Sequence, residues 1–72
     1  MKTQIADHVT IDMLYHDIVE TTTEIKQNSK LMAKVNGSSR RQLLLHKVSN
    51  EFTDRNYEKA HAYLGELIES MF

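Results

Sequence analysis

Four polar residues near the start of the chain have the spacing of a metal site. His8, Asp12, His16 and Glu20 follow one another at intervals of four, so on a helix they line one face. Two imidazoles and carboxylates at this spacing can hold a divalent cation. A solvated helix face opposite an apolar stripe has the same pattern. We favour the solvated face, and we predict neither a metal site nor a cofactor.

The other residues that could do chemistry are dispersed. The chain has no cysteine, no serine in a nucleophile elbow and no glycine-rich phosphate loop. His46 has no carboxylate at metal-site spacing. A domain of this size also has little room for a ligand pocket. We therefore predict that the protein is not an enzyme.

Basic residues concentrate in the middle of the chain. Residues 25–50 carry six cations and no acid, whereas residues 1–24 and residues 51–72 are both acidic. Two of the cations, Arg40 and Arg41, lie in a predicted first helical turn, where the helix dipole disfavours positive charge. Serines and free backbone N–H groups beside them could bind phosphate or an acidic protein. The predicted anion site comprises Lys30, Lys34, Ser39, Arg40 and Arg41; the alternative is a solvated tip.

These residues must be positioned by helices, because no strand-like alternation and no proline is present. A first helix is predicted over about residues 10–35, followed by a hinge at 36–39. Gly37 in this hinge suits a left-handed residue that ends a helix. The stripe that defines the helix follows a spacing of three and four: Ile11, Leu14, Ile18, Thr21, Ile25, Asn28, Met32 and Val35.

The second half of the chain predicts two shorter helices. Ser38 or Ser39 begins the first of them, over about residues 39–53, with Ser39 and Gln42 as a capping box. The helical spacing of its apolar residues does not continue past Phe52, so a turn or kink is expected there. A third helix is predicted over about residues 55–71. The predicted fold is all-α, a single domain over 1–72, with a long helix in an antiparallel hairpin with two shorter ones.

The stretch from Asp54 to Ala60, followed by Tyr63 and Leu64, resembles the turn and second helix of a tetratricopeptide repeat. The resemblance covers about one helix and its preceding turn. The glycine and large aromatic residue usual in the first helix are absent, and no second copy occurs. The resemblance therefore implies a local helix hairpin rather than membership of that family.

The apolar stripes of the helices predict a core, and the stripe of the first helix is interrupted at two places. Thr21, Thr22 and Thr23 are β-branched and lower the helix propensity. Asn28 lies on the apolar seam, where a buried amide would fix the register of an assembly, whereas an exposed one would carry no such meaning. The predicted core is Leu14, Ile18, Ile25, Leu44, Val48, Phe52, Leu64 and Leu67.

A chain of 72 residues without cysteine has a small core and no disulfide to support it. Self-association, or binding to another helical protein, is the remaining common support. We expect a cytoplasmic adaptor, chaperone-like subunit or regulator, with no membrane partner since the longest aliphatic run has only three residues. The alternative is a nucleic-acid-binding regulator that uses the basic hinge. The predicted apolar partner-binding residues are Ile11, Leu14, Ile18, Ile25 and Met32.

Overall fold

Four α-helices make up the structure, a computed structural model that describes the backbone of residues 2–72 and the side chains of residues 11–72. They are α1 (Lys2–Gln27), α2 (Ser29–Asn36), α3 (Ser39–Thr53) and α4 (Tyr57–Met71). The predicted all-α class is confirmed. The predicted count of three helices is not, because the first helix is divided into α1 and α2.

The division between α1 and α2 is made by Asn28. Its backbone is extended, with φ −95° and ψ 110°, and its side-chain Oδ1 accepts hydrogen bonds from Lys30 N at 3.0 Å and Leu31 N at 3.2 Å. An asparagine that satisfies the free N–H groups of the next turn is a strong helix N-cap. Asn28 is exposed. It is therefore a cap rather than a buried seam residue, and the three threonines stay helical.

The turn between α2 and α3 has no left-handed residue. Gly37 has φ −81° and ψ 0°, so the predicted left-handed glycine is wrong. Ser38 is the N-cap of α3, and its Oγ accepts from Arg41 N at 3.3 Å. The predicted capping box of Ser39 and Gln42 does not form, since Ser39 already lies in the helix. Gln42 Nε2 instead donates to Asn36 O at 2.9 Å, which joins α3 to the end of α2.

The turn between α3 and α4 falls where the apolar phase breaks. Arg55 N donates to Phe52 O at 3.0 Å, and Asn56 N donates to Glu51 O at 2.8 Å. This pair of bonds is a Schellman motif, which requires a left-handed residue after the helix. Arg55 takes that position with φ 66°, the single positive φ among the described non-glycine residues. The motif delays the start of α4 to Tyr57.

α4 lies at the centre of the packing and contacts each of the other three helices. Tyr15 stacks near Tyr57 and Lys34 lies at Met71, so α1 and α2 run in the same direction as α4. α3 runs antiparallel to them. In the described part of the chain, no Cα of α1 comes within 8 Å of a Cα of α3. The two helices are therefore separated from each other, and a groove lies between them.

The core is built mainly from residues that the helix stripes predicted. Six of the eight predicted residues are buried, and Leu14 and Phe52 are half-buried. The buried set also includes one residue of α2 and two of α4 that were not in the predicted core. None of the described helices is both long enough and apolar enough to cross a membrane. The complete buried set is Ile18, Ile25, Val35, Leu44, Val48, Ala60, Leu64, Leu67 and Met71.

Truncating the centre of α4 should strongly destabilise the fold. Leu64 is 1% exposed, so Leu64→Ala leaves a cavity and should lower the free energy of unfolding by about 2–5 kcal/mol. Leu43→Ala is the matched control, because Leu43 is 52% exposed. Urea unfolding followed by circular dichroism measures both. Equal losses in the two variants would contradict the described orientation of α3 and α4.

Relieving the left-handed residue should stabilise the fold. Arg55→Gly removes the steric cost of a Cβ at φ 66° and should raise the free energy of unfolding by about 0.5–1 kcal/mol, after the entropic cost of glycine. Arg55→Ala removes the same side chain but keeps the Cβ. It should therefore give no comparable gain in the same urea titration, and a gain as large as that of glycine would exclude backbone strain as the cause.

Candidate interaction surfaces

Arg41 joins three helix ends in the region of the predicted anion site, which we call the basic tip (Lys30, Lys34, Ser39, Arg40 and Arg41). Its Nε donates to Ser70 Oγ at 3.2 Å, one terminal nitrogen donates to Lys34 O at 3.2 Å, and the other donates to Ser70 O. Ser70 Oγ in turn donates to Leu67 O at 2.9 Å. The guanidinium of α3 thus binds carbonyl groups near the C-terminal ends of α2 and α4.

Lys34 makes a second contact to the same end of α4. Its Nζ donates to Met71 O at 3.0 Å and lies 5.1 Å from the centroid of the Phe72 ring. A cation beside the last carbonyls of a helix is favoured by the dipole and satisfies acceptors that lack intrahelical partners. Lys34 and Arg41 together therefore stabilise the C-terminal end of α4.

These contacts explain the placement of Arg41 in a first helical turn. The backbone of Arg41 lies where the dipole of α3 disfavours a cation, but its guanidinium lies among the carbonyl ends of α2 and α4, where two dipoles favour it. The sequence could not reveal this compensation, because Ser70 is 29 residues away in the chain.

The predicted anion site therefore divides into two groups. Lys34 and Arg41 use donors on backbone carbonyls of their own chain. Lys30, Ser39 and Arg40 are exposed. Anion binding at this tip stays a prediction, and the exposed group would have to carry most of it.

Removing the Arg41 guanidinium should loosen the basic tip. Arg41→Ala leaves two carbonyls, Lys34 O and Ser70 O, without their charged donor and should lower the free energy of unfolding by about 1–2 kcal/mol. The neighbouring Arg40 is exposed, so Arg40→Ala should change it by less than about 0.5 kcal/mol. Urea titration of both variants measures the difference. Losses of equal size would show that the bonds of Arg41 contribute little.

The predicted apolar partner-binding residues mostly serve the chain's own core. Ile18 and Ile25 are each 2% exposed and lie in the chain's own core, and partner binding through them stays a prediction. They are buried because α4 packs along this line of α1. Leu14 and Met32 are half-buried. Ile11 is 50% exposed and remains accessible.

A second line of apolar residues lies beside the buried one and faces solvent. Ile11 is 50%, Tyr15 41% and Val19 39% exposed. They follow at intervals of four and so form a continuous ridge on α1, which we call the apolar row. Large apolar side chains in a contiguous exposed line are typical of a contact surface.

The apolar row borders the groove that α1 and α3 leave between them. This α1–α3 groove has a volume of about 250 Å³. Val19 lies on one side and Phe52 on the other, while Lys26 and several hydroxyl side chains form a polar rim. The complete lining is Ile18, Val19, Thr22, Thr23, Lys26, Val48, Ser49, Phe52 and Thr53.

An aromatic cluster lies beside this groove. Tyr15 of α1 lies 5.2 Å from Phe52 and 5.6 Å from Tyr57 between ring centroids, and Phe52 lies 5.4 Å from Tyr57. Aromatic pairs at these separations add to the free energy gained by burial. The cluster is the main contact between α1 and the turn that joins α3 to α4, and it holds the apolar row in place.

The polar face of α1 makes two separate contacts. Asp12 lies 3.6 Å from His16, but the side chain of His8 falls outside the described residues. In the part of the chain with described side chains, no three His, Asp or Glu residues converge as a metal site. Asp17 lies 2.7 Å from His61 of α4 and also accepts from Thr21 at 3.4 Å. The pair of Asp17 and His61 joins α1 to α4.

Sequence reasoning missed the apolar row because it followed a single line of the helix. Tyr15 and Val19 each lie one residue beyond a stripe residue, Leu14 and Ile18. The signal was present, since the two lines together are wider than one packed neighbour can cover.

Comparisons with family models, with curated proteins and with solved structures gave no match to this chain.

Proposed function

We propose that this protein is a small, non-enzymatic interaction module that binds a helix of a protein partner. The observation that carries the proposal is the exposure of Val19. This apolar residue is 39% exposed, belongs to the apolar row and lines the α1–α3 groove. A helix laid along this groove would cover Val19 and Phe52 together. Recognition of an amphipathic helix in an apolar groove is a common mode of protein binding.

The arrangement of the helices supports this proposal. The α1–α3 groove lies between α1, which packs on α4, and α3. It is lined by aliphatic and aromatic side chains together with Lys26, Thr23 and Ser49. An apolar centre with a polar rim is the usual anatomy of a protein interface. Phe52, which is half-buried, would lose its remaining exposure in such a complex.

Nucleic-acid binding at the basic tip is the weaker proposal. Two of its five predicted residues, Lys34 and Arg41, already donate to backbone carbonyls. A phosphate would have to compete with these bonds or rely on Lys30, Ser39 and Arg40. Phosphate contacts also release counterions, so this mode predicts steep loss of binding with salt, which an apolar interface does not.

The apolar row can be tested by placing a charge on it. Val19→Asp should reduce capture of protein partners by about tenfold or more, since an aspartate in an apolar interface loses its hydration. Tagged wild-type and variant chains are compared by quantitative affinity capture at moderate and high salt. Circular dichroism and urea titration confirm that each variant folds.

Met13→Asp is the matched control. Met13 is 62% exposed on the same helix but lies about 120° around it from Val19. Capture should survive this change and should also survive high salt. If Val19→Asp captures the same partners as wild type with equal yield, the apolar row is not the binding surface.

A further inference from the structure

The face of α1 that carries Val19 has a charge pattern that is antisymmetric about this residue. Asp12 lies seven residues before Val19 and Lys26 lies seven residues after it. Residues seven apart form nearly one line on a helix, with a drift of about 20°. All three are exposed, with the Asp12 side chain at 76%. Along this line α1 therefore carries an acidic residue, then an aliphatic one, then a basic one.

We propose that the partner is a second copy of this chain, paired through antiparallel α1 helices with a two-fold axis near Val19. This inference rests on the function proposed above and names its partner. In a two-fold dimer the same patch occurs on both subunits, so it must complement itself. With Val19 against the partner's Val19, Asp12 is level with the partner's Lys26, and Lys26 with the partner's Asp12.

Charge favours the antiparallel over the parallel arrangement. Parallel pairing would place Asp12 beside the partner's Asp12 and Lys26 beside the partner's Lys26, which are repulsive contacts. The same argument holds over a longer range, because residues 1–24 carry five acids and one lysine and residues 25–50 carry six cations. An antiparallel pair places the acidic half of each subunit beside the basic half of the other.

The residues between the two charges suit a close helix contact. Tyr15 precedes Val19 by four positions, and Thr22 and Thr23 follow it. The Thr22 hydroxyl donates to Ile18 O at 2.7 Å, so it needs no partner in an interface. Val19 is 39% exposed, so a helix packed on this face of α1 at the usual separation of about 8–10 Å would contact it.

The dimer extends the small core of the monomer. The partner's α1 lies over the mouth of the α1–α3 groove and covers Val19 and the exposed part of Phe52. By symmetry, each subunit covers the groove of the other. A chain without cysteine thereby gains the apolar burial that its own helices do not supply.

A charge swap tests the pairing in the purified full-length protein. Sedimentation equilibrium at low salt should give a dimer mass for wild type. Asp12→Lys alone and Lys26→Asp alone should each weaken dimerisation about tenfold, because two attractive pairs become repulsive. The doubly substituted chain restores opposite charges in the antiparallel register and should regain the wild-type dissociation constant.

Glu24→Lys controls for a change of net charge alone. Glu24 is exposed and lies about 140° around α1 from Val19, so this variant should dimerise as wild type does. Disulfide formation gives a second measurement, since the chain has no native cysteine. Val19→Cys lies on the proposed axis and should cross-link rapidly, whereas Glu24→Cys should not.

A monomer mass for wild type at every concentration would overturn the dimer. A dimer whose dissociation constant is the same in wild type and in the Asp12→Lys and Lys26→Asp variants would overturn this interface. Failure of the Val19→Cys chains to cross-link would overturn it as well. These failures are distinguishable from failure of the proposed function. A monomer that still captures a foreign protein through Val19 keeps that function and loses only the second copy as partner.

Discussion

Satisfaction of helix ends is the constraint on which the rest of the structure depends. A chain of 72 residues divided into four helices has many backbone carbonyls and N–H groups without intrahelical partners. Arg41 meets this demand at the tip by binding carbonyl groups of both α2 and α4. Asn28 and Ser38 meet it at the start of α2 and of α3. The polar residues Asn28, Ser38 and Arg41 thus make hydrogen bonds within the chain that stabilise the fold.

Contacts at both ends of the molecule set the arrangement of the helices. Lys34 and Arg41 hold α2, α3 and α4 together at one end. Further along, α1 packs on α4, where Asp17 meets His61, and stays apart from α3. The α1–α3 groove lies in the space between these two helices.

Charge and apolar surface have complementary roles in this molecule. The cations at the tip are used largely within the chain, although their clustering in the sequence indicated an anion site. The apolar residues of α1 divide into a buried line, which includes Ile18 and Ile25, and an exposed line, which includes Tyr15 and Val19. Interaction with a protein is thus better supported by the exposed line than by the basic cluster.

The sequence by itself determined the helical class, the turn near Asp54 and most of the core, because these depend on local periodicity and on residue types at helix ends. It indicated Leu44, Val48, Leu64 and Leu67 as buried, and they are. Only the tertiary structure decided that Asn28 is a cap, that Arg41 reaches Ser70, and that Val19 is exposed while Ile18 is not. The last two depend on contacts between residues distant in the chain and on the angle at which α1 crosses its neighbours. Helical periodicity contains neither, since it fixes which residues share a face but not which neighbour covers that face.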